Sequence, residues 1–204
     1  ATLFLAAMLV TRIMRQLHRR VTDLAETTAE LVDLNSRLNG LYAMVRAIGA
    51  ERHLAPIPSN VVRELAAVTG VPAAAVKLLS EDGETLRYVA AHGLPQGLVE
   101  SAVIRLDQSP LNRRIIEGET LVHGGVGGDE RRRRQDELSA LGIRSAVLAP
   151  LRVEDRVIGT LGVYAHAAGR FSARDSDFLR LAAELVALAI ENAQANEEVE
   201  TLLA

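Results

Sequence analysis

Cysteine is absent from the 204-residue chain, and so is tryptophan. Without a thiol there is no disulfide, thiol nucleophile, zinc–cysteine site, iron–sulfur cluster or thioether-linked chromophore. Aromatic residues make up only 3 % of the chain, which leaves no platform for stacking bases or sugars. An excess of one charge is missing too. Against 26 acidic residues stand 23 basic ones, a net charge of −3, so no nucleic-acid partner is expected. Lysine occurs once, at Lys77. What remains is ordinary for a folded protein: 49 % hydrophobic and 24 % charged residues, in a length that suits one or two domains.

The longest apolar run is Ala1 to Val10, broken only by Thr2 and followed by Arg12, Arg15, His18, Arg19 and Arg20. Ten helical residues cover roughly half of a hydrocarbon core of about 30 Å. A secretory signal carries its positive charge before the apolar run, whereas here it follows. This order predicts residues 1–10 to be the end of a transmembrane helix, with the arginines on the cytoplasmic side of the inner membrane. A chain that opens on Ala within an apolar run is expected to be part of a longer one.

A seven-residue beat follows. Val10, Leu17, Leu24, Leu31, Leu38 and Val45 take one seam position, and Met14, Val21, Thr28, Asn35 and Tyr42 the other. The same beat returns near the end, where Leu181, Leu188, Ala195 and Leu202 alternate with Leu185, Asn192 and Val199. Asn35 and Asn192 are polar residues in an otherwise apolar row, which favours a parallel dimer in one register at some cost in stability. These rows predict a homodimer held by parallel coiled coils, one over residues 11–52 and an outgoing one over 179–204.

Between them lies a compact α/β pattern. Pro56 and Pro58 predict the end of the first helix near Leu54, with Ser59 or Asn60 capping a second helix from Val61 to Val68, closed by Gly70. Strands are expected at 73–79, 85–91, 102–106 and 120–123, with a short helix at 111–117. Ser145–Val153 and Arg156–Ala165, joined by Glu154-Asp155, form the clearest hairpin, where Pro150 marks an edge or bulge position. Ser172 is the expected cap of the last helix.

The stretches "LRYVAAHGLP", "SPLNRRIIEGETLV", "LGIRSAVLAPLRVEDRVIGTLGVY" and "RFSARDSDFLRLAAELVALAIENA" together resemble a GAF domain over roughly Glu51 to Ala193. The resemblance implies an α+β fold: a GAF/PAS-like antiparallel sheet of about six strands, with helices on one face and a ligand pocket on the other. On this reading the domain occupies 53–178, flanked by the long coiled-coil helices. Members that bind cyclic nucleotides carry an Asn-Lys pair after the last hairpin strand, then Phe-x-x-x-Asp-Glu. Here Tyr164-Ala165 replaces the pair and Ser176 the Glu, leaving only Phe171 and Asp175. Cyclic nucleotide is therefore not expected. Bilin is excluded for want of the attachment cysteine, and the redox cysteines of a methionine-sulfoxide reductase built on this fold are missing.

Tyr88, His92, Arg105, Asp107, His123 and Arg144 are the polar candidates for contact with a small-molecule ligand. Leu78, Val89, Ile104, Val147, Leu148, Ile158, Leu161 and Val163 are assigned to the core or pocket wall, and the alanines at 73–75, 90 and 91 leave room for a cavity. His92 and His123 flank that pocket, but no second ligand stands at helical spacing from either, so no metal site is expected and haem is disfavoured. The glycines at 124–128 lack the lysine of a phosphate cradle and suit a lid. Arg131 to Arg134, flanked by acids, suits a solvated face. No catalytic set emerges. The sequence thus predicts a non-catalytic sensory, dimerisation and relay module, most simply of a membrane-bound bacterial sensor histidine kinase, with the effector domain elsewhere in the parent chain. The alternatives are the sensory half of a diguanylate cyclase and a structural dimerisation spacer without ligand.

Overall fold

The computed structural model of the chain describes residues 2–49, 56–124 and 141–203. Helix α1 (Thr2–Gly49) runs for 48 residues, and the chain divides within it into one unit of Ala1–Asn39 and another of Gly40–Ala204. In the first unit Leu17, Val21, Leu24, Leu31 and Leu38 are all exposed, and so is Asn35, whose Oδ1 accepts from Asn39 Nδ2 at 3.3 Å. Arg37 and Asp33, one turn apart, form an ion pair at 2.9 Å. Among the described residues no helix is long and apolar enough to cross a membrane. His53 and Leu54, the glycines at 125–128 and the arginine run at 131–134 lie outside the described residues.

The second unit is built on one sheet. Helix α2 (Pro56–Thr69) leads into strands β1 (Ala73–Leu79) and β2 (Thr85–His92). Then come α3 (Gln96–Ser101), β3 (Val103–Arg105), a 3-10 turn at Leu106–Gln108 and α4 (Pro110–Ile116). Strands β4 (Leu121–Gly124), β5 (Ser145–Val153) and β6 (Arg156–Ala165) precede the last helix, α5 (Ala173–Leu203). The six strands lie in the order β3-β2-β1-β6-β5-β4, and every neighbouring pair is antiparallel.

Helix α2 starts at Pro56, not at Val61 as the prolines first indicate. A proline in the first helical turn lacks only an N–H that would have no partner there, so both fit inside the helix. Asn60 consequently lies inside the helix and not at its start, and its Oδ1 accepts from Arg63 Nη2 at 2.7 Å. The helix stops at Gly70, whose φ of 63° suits glycine, while Val71 N–H reaches back to Ala66 O at 3.2 Å. Ser172 does cap α5, in a reciprocal box. Its Oγ accepts from Asp175 N–H at 3.4 Å, and Asp175 Oδ2 accepts from Ser172 N–H at 2.7 Å. Pro150 in β5 pairs with Thr160 of β6, yet β4 covers β5 only at 145–148. The missing N–H of Pro150 therefore faces no described neighbour, as the proline requires.

One face of the sheet takes the helices. Ile57, Val61, Val62 and Leu65 of α2, with Leu179, Ala182, Val186 and Ile190 of α5, close on Val76, Val147, Ala149, Leu151, Leu161 and Val163. Helix α5 has a second face. Leu181, Leu188, Val199 and Leu202 are exposed along it together with Asn192, and Leu185 is half-buried. Val89, assigned above to the core or pocket wall, is 44 % exposed. It is the extra residue of a β-bulge: Val76 pairs with Ala90 and Lys77 with Tyr88, so Val89 has no opposite number.

Candidate functional site

The opposite face of the sheet is defined by register, since residues directly opposed on antiparallel strands share a face. Ala73, Tyr164, Ala146 and His123 form one row across β1, β6, β5 and β4. Ala91, Ala75, Gly162 and Leu148 form the next, and Tyr88, Lys77, Thr160 and Pro150 the third. Ile115 and Leu111 of α4, with Leu94, Leu141 and Ile143, cover these rows with a second apolar cluster.

The small residues of the middle row make a bed, and Tyr164 lies on it. A Cβ on Gly162 would stand 2.6 Å from Leu148 Cδ2 and 2.8 Å from Tyr164 Oη, so only glycine lets the ring fold back along its own strand. Tyr164 is 1 % exposed, and Tyr88 is the polar neighbour that acts on its hydroxyl. Burial first, with the neighbouring Tyr88 adding to it, pushes the Tyr164 phenol well above its ordinary pKa. Part of the room that the alanines leave is thus taken by this side chain.

The third row is polar and buried. Lys77 is 3 % exposed, and its Nζ donates to Asn112 Oδ1 at 3.3 Å while standing 5.6 Å from the centre of the Tyr88 ring. Asn112 is held in turn by Ser109, the cap of α4, whose Oγ accepts from Asn112 Nδ2 at 2.7 Å and from Asn112 N–H at 3.4 Å. Beside Lys77 on β6 is Thr160, which is wholly buried. Its Oγ1 has no hydrogen-bond partner among the described residues, a state that costs about 1–3 kcal/mol. A buried hydroxyl without a described hydrogen-bond partner, next to a buried cation, is the polar feature of this face.

The six candidates from sequence divide around it. Tyr88 is in the polar row, half-buried, and His123 is at the far end of the face, also half-buried. His92 pairs with Ala74, a residue of the helix-side core, and is exposed on that other face. Arg105, the last residue of β3, and Asp107 in the turn after it are exposed and bind each other, Arg105 Nη2 to Asp107 Oδ2, at 3.0 Å. That hydrogen bond holds the Asp107 carboxyl below the usual range and raises the Arg105 guanidinium. Arg144 is exposed, and its backbone N–H donates to Ala165 O. Lys77, Asn112, Ser109, Thr160 and Tyr164 were not among the candidates. The isolation of a single lysine inside an apolar strand is the signal that marks the first of them. Among the described residues no group of three or more His, Cys, Asp or Glu is placed to hold a metal ion.

A six-stranded antiparallel sheet, with helices packed on one face and an apolar cluster beside a buried polar row on the other, defines a class of α+β domain. The chain belongs to the GAF domain family, whose model matches residues 58–191. No curated protein matches the chain. Among solved structures, the GAF domain from an Acinetobacter phosphoenolpyruvate-protein phosphotransferase is similar, with a TM-score of 0.66 at 19 % identity, covering 79 % of this chain and 97 % of that one. A domain of a protein described as a two-component sensor histidine kinase from Sinorhizobium meliloti gives 0.57 at 23 % identity, covering 69 % and 92 %. The free methionine-R-sulfoxide reductase from Neisseria meningitidis, in complex with its substrate, gives 0.67 at 17 %, covering 78 % and 90 %. At these identities the likeness is one of fold.

Proposed function

We propose that the chain is the non-catalytic sensing, dimerisation and relay module of a membrane-anchored bacterial signal-transduction protein, a two-component sensor histidine kinase whose catalytic part lies elsewhere in the parent. The observation that carries this reading is the double face of α5. One side is buried on the sheet, and the other presents Leu181, Leu188, Val199 and Leu202 to solvent with Asn192 among them. Apolar residues repeated along an exposed face mark a surface that awaits a partner. Their heptad spacing, repeated on α1 through Leu17, Val21, Leu24, Leu31, Asn35 and Leu38, suits a second copy of the same chain in parallel. The kinase assignment draws on the Sinorhizobium neighbour, and the inner-membrane anchor on the apolar run that precedes the arginines of α1.

On this reading the ligand side is the face opposite the helices, with Tyr88 and His123 turned toward it. No catalytic residue and no resident cofactor is assigned. A reductase with redox cysteines and a covalently held bilin both need a thiol that the chain lacks. The test is the mass of the 204-residue chain in solution at micromolar concentration, by light scattering. Twice the 22.0 kDa chain mass is expected, and a monomer sinks the reading. A spacer without ligand is the second reading, favoured by one observation: Tyr164 already fills the bed that Ala75 and Gly162 leave. A spacer dimerises as well but does not switch, which the Asn192 variant discussed below decides.

A further inference from the structure

We propose that the arginine segment of α1 docks on an anionic phospholipid surface, with Arg12, Arg15, Arg19 and Arg20 against the headgroup phosphates. The inference rests on the membrane-anchored reading given above, and it names the kind of lipid that the anchor meets. Charge along α1 is segregated. Residues 11–20 contain four arginines and no acid, whereas 21–36 contain Asp23, Glu26, Glu30 and Asp33 and no base. All four arginines are exposed, and among the described residues none of them is in an ion pair. A second copy in parallel does not supply the missing anions, because it brings its own arginines to the same level. With Met14, Leu17 and Val21 in the seam rows, Arg12, Arg15 and Arg19 fall on the side of the helix away from that seam. They face whatever surrounds the pair.

Distance and charge order favour a bilayer over a polyanion in solution. At about 1.5 Å per helical residue, Arg12 stands roughly 3 Å and Arg20 roughly 15 Å beyond Val10, where the apolar run ends. A headgroup layer is about 5–8 Å deep, and the Debye length at physiological salt adds about 8 Å. Arg12 and Arg15 therefore stand among the phosphates, and Arg19 and Arg20 at their border. A guanidinium forks onto two phosphate oxygens, and four basic residues directly after an apolar span suffice to hold anionic lipid. The row of Arg12, Arg15 and Arg19 continues at the same spacing of three and four through Asp23, Glu26, Glu30 and Asp33. A nucleic acid laid along the helix would meet those acids. A membrane met end-on does not.

The experiment measures co-flotation of the 204-residue chain with two kinds of vesicle at about 0.15 M salt. One is phosphatidylcholine alone, and the other carries in addition about 30 % phosphatidylglycerol, whose headgroup is anionic. At about fivefold per arginine, the anionic vesicles are expected to bind about a hundredfold tighter or more, an excess that about 1 M salt removes. Arg12→Gln with Arg15→Gln should lose about twentyfold of it, and Arg19→Gln with Arg20→Gln less. Arg63→Gln, on the exposed side of α2, should lose nothing. The α1 arginines are exposed, so the thermal midpoint should stay unchanged in all of these variants. The proposal is overturned by equal binding to the two vesicles, by binding to neither, or by full binding in the Arg12 and Arg15 double variant. Release of the chain from the vesicles by duplex DNA at an equal phosphate concentration overturns it too. Equal binding leaves the anchor standing, since the apolar run alone then accounts for it. Chain mass and Asn192→Ile judge the relay reading separately, and a monomer that prefers anionic vesicles would keep the proposal while ending that reading.

Discussion

Tyr164 ties stability to pH through a single phenol. Its pKa in the folded chain is raised by burial, so the unfolded chain, with an ordinary tyrosine pKa of about 10, loses that proton first as pH rises. The contribution is therefore whole below about pH 10 and is lost progressively above it. Urea unfolding at about pH 7 and about pH 11 should show the wild-type chain losing more stability across that interval than Tyr164→Phe. At neutral pH the variant should cost only about 1 kcal/mol, for the lost interaction of the hydroxyl with its neighbour Tyr88. Ser109 offers a second test at this scale. Ser109→Ala removes the cap of α4 and the acceptor that orients Asn112, and should cost ~1 kcal/mol by the same measurement. Neither role is visible in sequence. The alternation around Tyr164 gives its face, but not that its ring lies back over Gly162, because that depends on packing from three strands. Ser109 precedes Pro110 and a short helix, but its burial and its bond to Asn112 depend on packing that the sequence does not show.

At the level of elements, β2 shows where a sequence pattern stops carrying information. Tyr88, Ala90 and His92 alternate evenly and in a regular strand would share one face. The bulge opposite Val76 and Lys77 turns Tyr88 to the face away from the helices while Ala90 and His92 face the helices. No glycine or proline marks this bulge, so nothing in the sequence signals it. The β5–β6 hairpin lies at the other extreme. Both strands and the two-residue turn fall where the sequence puts them, since two buried strands with a polar turn admit one register. Helix α3 has no buried residue, hence no periodicity by which to foresee it.

Helix α1 contains a further element-scale prediction. Gly40 is buried against α2, and a Cβ there would stand 2.8 Å from Val68 Cγ2 and closer still to Cγ1. Alanine ordinarily favours a helix over glycine by about 1 kcal/mol. Here Gly40→Ala should instead lower the thermal midpoint, and Gly40→Ala with Val68→Ala should recover much of the loss. A midpoint raised by the single variant would show that α1 stands clear of α2 at this point.

For the whole molecule, the decisive residue is Asn192. Polar and small seam positions leave neighbouring helix arrangements within a few kcal/mol of each other, which is what a relay needs. On the relay reading proposed above, Asn192→Ile should stabilise the proposed dimer and fix the effector output of the parent protein in one state, with and without stimulus. An unchanged switching range in an effector assay would make these helices a passive stalk. The family and the sheet were legible at this scale, because strand order and hydrophobic pattern act along the whole chain. The face opposite the helices was only half legible, since it gathers one or two residues from each of several distant strands.

The two edges of the sheet have a consequence for crowding. β3 runs for three residues and β4 for four, and Pro150 withholds a donor where β5 extends past its neighbour. Short borders interrupted in this way give an incoming strand little to zip onto, which is how natural sheets resist fusing into fibrils. Among the described residues, the borders of the sheet therefore offer copies concentrated side by side little to pair with.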